Sequence, residues 1–126
     1  MPRARTKKKE DPRLARISKL ALALPEASRR LHGSHAAFIV RGRNFAYFLD
    51  NHHGDGIVAI TCKVMPGENT ALVAAQPGRF YLPAYVGPRG WVALRLDAGA
   101  IDWNEVRDLL VCSYQLVAPK RLASRV

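Results

Sequence analysis

Residues 85–122, YVGPRGWVALRLDAGAIDWNEVRDLLVCSYQLVAPKRL, set out in order a glycine turn, an alternating strand, a capped amphipathic helix and a basic exit. From Trp91 onward, Val92, Leu94 and Leu96 share one face, and Trp91, Ala93 and Arg95 share the other. This is the period of two expected of a strand buried on one side. Asp102 then stands at an N-cap position with Glu105 three residues later, so both carboxylates can accept from unpaired N–H groups of a first helical turn. Val106, Leu109, Leu110, Tyr114 and Val117 recur at spacings of three and four as one apolar stripe. Pro119 disfavours helix at Ala118 and ends the run. The predicted helix therefore covers 102–117 and leads into Lys120 and Arg121.

Working outward, Asp11-Pro12 forms an N-cap and first-turn pair. Leu14, Ile17, Leu20, Ala21 and Leu24 give a stripe that predicts a helix over 12–24, closed by Pro25. Strands are predicted at 27–32, 36–41 and 44–50. Gly42-Arg43 is read as a type II′ turn that makes Arg41 and Arg43 a projecting tip. A loop, NHHGDG, precedes a strand at 57–63, in which Val58, Ile60 and Cys62 alternate with a more polar face holding Thr61 and Lys63. Met65-Pro66-Gly67-Glu68 opens a short helix that runs to Ala75 and ends at Gln76-Pro77-Gly78. The order of elements points to one α+β domain, a two-layer sandwich with helices on one face of an antiparallel sheet. Trp91, Arg95, Thr61 and Lys63 fall on the opposite, partly open face as a candidate recognition surface.

The ordered elements PAYVGPRGWVALRLD, DW, EVRDLL and SYQLVAPKRL resemble the MmcQ/YjbR family of small bacterial proteins. The resemblance runs from about Ile17 to Leu122 and includes ALALPEA and the hairpin AAFIVRGRNFAYFLD. It implies a secretion-chaperone-like sandwich with a double-wing arrangement of hairpins, and DNA binding argued from that arrangement. It brings no catalytic residues.

At 126 residues with 48% hydrophobic content, a single domain can bury roughly 65% of its unfolded surface without staples or metal. No apolar run reaches the ~20 residues of a membrane span, so a cytoplasmic protein, more readily monomeric than oligomeric, is expected. Cys62 and Cys112 read as buried free thiols. His32 with His35 and His52 with His53 lie near two separate loops and would have to converge to complete a zinc site, so neither metal nor cofactor is expected. Gly87-Pro88-Arg89-Gly90 enters a strand and carries no placed lysine, which makes it a tight turn exposing Arg89 rather than a phosphate loop. Ser34-His35 has no elbow motif, and Asp97 and Asp102 serve as turn and cap, so no enzyme is expected.

Charge is the strongest compositional signal, with twenty Lys and Arg against ten Asp and Glu for a net +10. Residues 1–30 hold ten basic and three acidic side chains; residues 31–126 hold ten and seven. The surplus marks residues 1–10 as a basic arm, expected to be disordered alone, ahead of a domain over 11–126. The expected nucleic-acid contacts are Arg3, Arg5, Lys7, Lys8 and Lys9 in the arm, then Arg41, Arg43, Lys63, Arg89, Trp91, Arg95, Lys120 and Arg121. Trp91 beside Arg95 can stack a base and meet a phosphate, or can form an ordinary cross-strand pair. The last predicted helix carries Glu105 and Asp108 on its polar side, which argues against a recognition helix. DNA binding with weak or no sequence preference is the leading expectation. Its rivals are a protein-interaction adaptor using the open face and an accessory protein for another ligand.

Overall fold

In the computed structural model, which describes residues 10–126, the capped helix of the signature stretch is α3, Trp103–Val117. Asp102 Oδ1 accepts from the N–H groups of Asn104 and Glu105. Glu105 does not reach back to complete a reciprocal box, because its carboxylate is engaged by Arg79. Val106, Leu110 and Tyr114 are buried, whereas Leu109 and Val117 are half-buried at the edge of the stripe. Ala118 turns extended before Pro119, and Lys120–Ala123 forms a one-turn helix, α4.

Six strands form one antiparallel sheet: β1 Ser28–His32, β2 His35–Val40, β3 Arg43–Asp50, β4 Val58–Lys63, β5 Phe80–Tyr81 and β6 Trp91–Arg95. Their order across the sheet is β1-β2-β3-β4-β6-β5. Helices α1 (Pro12–Leu22) and α2 (Glu68–Ala75) lie with α3 on one face, as the element order predicts. Phe38, Phe48, Ile60, Val92, Leu94 and Phe80 point toward them into one core with Ile17, Leu110 and Tyr114. Tyr114 donates its hydroxyl to the Pro25 carbonyl at 2.7 Å and meets Phe45 edge-on at 5.4 Å. Trp103 packs against this core and stacks under Arg16 of α1, whose guanidinium carbon lies 4.6 Å from the ring centroid.

Two local features depart from simple alternation. Phe38 pairs with Ala46 but Ile39 pairs with Asn44, so Phe45 is an extra residue in β3 and its carbonyl leaves the ladder. Ser113 of α3 compensates: its hydroxyl donates to the Phe45 carbonyl at 2.5 Å and accepts from the Lys63 N–H at 2.9 Å. The β2–β3 turn is also one residue earlier than expected. Val40 pairs with Arg43, which leaves Arg41-Gly42 as the central pair, with φ of 49° and 77°. Two positive φ values make a type I′ turn, whose twist matches the flanking strands. Glycine occupies the second site, and Arg41 accepts the left-handed conformation at the first.

The face away from the helices is less open than the sequence suggests. Trp91 is 7% exposed, Thr61 1% and Ala93 0%, because residues 82–90 fold back over β4 and β6. Asn69 pins that segment, its amide donating to the carbonyls of Gly87 at 2.9 Å and Trp91 at 3.2 Å. Cys62 is buried and Cys112 half-buried, both free; burial pushes both thiols above their ordinary range. No helix among the described residues is long and apolar enough to cross a membrane.

Candidate nucleic-acid interface

The β2–β3 hairpin carries its tip to the end of α3, where α4 begins. Arg41, Arg43 and residues 116–119 line one cleft of about 360 Å³ there. Arg41 is not a free cation. Its Nε and Nη2 donate to the two carboxylate oxygens of Glu26 at 2.6 and 3.0 Å, a two-point pair that also holds the turn. Glu26 has itself a left-handed backbone, with φ of 57°. Its carboxyl is held below the ordinary glutamate range first by the Arg41 hydrogen bond, with the charges of Arg121 and Arg125 acting in the same direction. Four arginine and lysine positions named from the sequence, Arg41, Arg43, Lys120 and Arg121, thus gather at one end of the molecule with Arg125 beside them. Arg43, Lys120, Arg121 and Arg125 are exposed.

A second basic pair adjoins this rim. Lys63, at the end of β4, and Arg89, in the turn before β6, line a groove of about 710 Å³ that reaches Leu116, and Leu116 also borders the hairpin cleft. Leu116 thus joins the groove of Lys63 and Arg89 to the cleft of Arg41 and Arg43. Gly90, with φ of 91°, is where the chain turns into β6 and carries Arg89 outward. The turn reading of Gly87–Gly90 holds, with Arg89 exposed.

The structure leaves two of the expected contacts out of this surface. Trp91 is buried, its ring 5.5 Å from that of Tyr47, and offers no open stacking platform. Arg95 is bound to Asp97 at 3.0 Å. Burial works to raise the Asp97 carboxyl, but Arg95 and the Val58 N–H outweigh it and hold it below the ordinary value. Arg3, Arg5, Lys7, Lys8 and Lys9 lie outside the described residues. Glu10, the first described residue, pairs with Arg29 at 2.9 Å.

Sequence reading missed Arg125, which only the folding of α4 brings near Glu26, and Asn69, whose role in holding the 82–90 segment has no sequence signature. It also missed Tyr47, Tyr81 and Tyr85 as a group, because Tyr47 is far in the chain from the other two and joins them only across the sheet. Among the described residues, no three His, Cys, Asp or Glu side chains are grouped to hold a metal ion.

A family model described as YjbR matches residues 22–116. No curated protein matches the chain. Among solved structures, the chain is similar to protein DR2400 of Deinococcus radiodurans, described by the domain name DUF419, at 22% identity and a TM-score of 0.67 over 82% of this chain and 77% of that one. It is also similar to a Pseudomonas syringae protein at 16% identity and a TM-score of 0.60, over 84% of this chain and 97% of that one. These likenesses are of fold, and they agree with the α+β architecture of sheet and helices. Because the family model spans all six strands of the sheet together with nearly all of α3, the chain belongs to the YjbR family.

Proposed function

We propose that this chain is a non-catalytic nucleic-acid-binding protein, acting on DNA with weak or no sequence preference through its basic rim. The observation that supports this most is that Arg41, Arg121 and Arg125 act together on a single carboxylate, Glu26, with Arg43 in the cleft beside Arg41 and Lys120 next to Arg121 in the chain. Cations on a hairpin tip and a one-turn helix suit phosphate contact, which positions a protein on nucleic acid without reading bases. Lys63 and Arg89 extend the same surface. The arm cations Arg3, Arg5, Lys7, Lys8 and Lys9 add to it in this reading.

A mobility-shift titration on a generic duplex at two salt concentrations tests the proposal. If all five arm cations contact phosphate, they contribute about −4.5 to the salt slope, roughly a 500-fold loss between 50 and 200 mM salt. Deleting residues 2–9 then flattens the slope by that amount. The double variant Arg43→Ala with Arg121→Ala flattens it by about 2. Glu26→Gln acts the other way, removing the carboxylate that neutralises the tip, and tightens binding at low salt. Absence of binding to duplex and single strands at low salt overturns the proposal.

A further inference from the structure

On the sheet face away from the helices lies a cavity of about 390 Å³, within the size range of small-ligand sites. Its construction follows from strand register. Tyr47 pairs with Thr61, Thr61 with Ala93 and Ala93 with Tyr81, so four strands contribute one straight row. With neighbouring strands ~4.8 Å apart, the two tyrosines stand roughly 14 Å apart, and only a threonine and an alanine lie between them. The row is a trough with aromatic ends. Pro83–Val86 closes it from above. Tyr85 stands at the mouth, 85% exposed and held at a φ of 67°.

At the floor, the Thr61 hydroxyl is buried without a hydrogen-bond partner. A hydroxyl both donates and accepts, and Ser113, the corresponding buried hydroxyl on the other face, uses both capacities. Asp55 stands at the rim with His52. Burial, and then Asp55, raises Tyr81 above its ordinary value. The carboxylate disfavours an anion inside the cavity. The walls therefore suit a flat, neutral ring with polar atoms on its edge. Pro83 separates this cavity from the groove that carries Lys63 and Arg89, so an anion attached to such a ring can cross one residue's width of wall to reach two cations.

We propose that the cavity takes the base of an unpaired nucleotide, stacked among Tyr47, Tyr81 and Tyr85 with its edge toward Thr61, while its phosphate lies at Lys63 and Arg89. The phosphate half rests on the nucleic-acid reading above; the base half rests on the cavity and the orphan hydroxyl. Free mononucleotide and single-stranded nucleic acid share this chemistry, and the experiment separates them.

Calorimetric titration of the full chain with adenosine, AMP, an eight-residue oligo(dA) and a duplex provides the test. Saturable binding of oligo(dA), with AMP binding or not, supports the proposal; AMP binding adds the free nucleotide as a source. Lys63→Ala and Arg89→Ala should weaken AMP or oligo(dA) and leave any adenosine binding unchanged. Thr61→Val should weaken the binding probes about three- to tenfold without lowering Tm, and Tyr85→Ala, at an exposed position, roughly tenfold. If only the duplex binds, the base site is overturned while the basic rim stands. Adenosine binding with no gain from a phosphate overturns the nucleotide assignment, and so does occupation of the cavity by an aromatic tripeptide in place of all these probes. Binding that survives both Thr61→Val and Tyr85→Ala places the nucleotide elsewhere and also overturns it.

Discussion

The two faces of the sheet are built from alternate residues of the same strands, yet they differ in how completely their chemistry is satisfied. Toward the helices, Phe48, Ile60 and Leu94 share one core with Leu110 and Tyr114 of α3, and the buried hydroxyl of Ser113 makes two hydrogen bonds. Away from them, Thr61 has no hydrogen-bond partner, and a covering loop stands off the sheet to leave a cavity. The first face is organised as a core. The second is organised as a site, where incomplete satisfaction in the free protein leaves chemistry for an occupant.

The contrast is broken or sharpened first by neighbouring residues of β3. Phe48→Ala, at a fully buried position on the helix side, should cost about 3–5 kcal/mol in denaturant unfolding. Tyr47→Ala, one residue earlier and half-buried on the other side, should cost no more than about 1–2 kcal/mol. Equal losses would show that both faces act as core. Next come the two hydroxyls. Ser113→Ala leaves the Phe45 carbonyl and Lys63 N–H without their partner and should cost about 2–3 kcal/mol. Thr61→Val removes an unpartnered group and should leave stability unchanged or raised. A loss at Thr61 comparable to that at Ser113 would mean that the hydroxyl is satisfied within the free protein.

The smallest effect is in acid. Arg13 holds the Asp11 carboxyl below the ordinary aspartate value of 3.8 through its hydrogen bond, and Asp97 is also lowered. Groups with depressed folded-state values contribute stability above the ordinary value and lose it as pH falls through their folded-state values. Unfolding midpoints should therefore drop below about pH 4, and Asp11→Asn should remove part of that dependence. Both carboxylates sit at the margins of the sheet, so Thr61→Val should leave the pH profile unchanged.

The sequence made the helix-side face readable because its signals are local and periodic. The Asp102 cap, the stripe through Leu110 and Tyr114, and the alternation of Val92, Leu94 and Leu96 each lie within one element, and the structure has each in place. What escaped depends on contacts between distant segments. The placement of Trp91 on an open face followed correctly from alternation, but burial depends on residues 82–90 and on Asn69, whose action alternation cannot express. The hairpin turn moved by one residue because Gly42 suits either of two turn types, and the register of the flanking strands decides between them. Of the candidate site, Arg41, Arg43, Lys63, Arg89, Lys120 and Arg121 were legible as surface cations. That Arg41 is bound to Glu26 and Arg95 to Asp97 was not, since each pairing depends on where the partner's backbone turns.

The hydroxyl of Ser113 has a kinetic consequence. It takes the place of a ladder rung between β3 and β4 at the bulge, but it belongs to a helix later in the chain, 50 residues from Lys63 and 68 from Phe45. Until α3 docks, the Phe45 carbonyl and Lys63 N–H have only solvent to bond; until β3 and β4 pair in this register, the serine has no seat. Strand alignment and helix docking are thereby tied to one folding event. Ser113→Ala should then slow refolding by much of its stability loss, giving a φ-value nearer one than zero, and stopped-flow refolding would reveal whether the nucleus spans both layers.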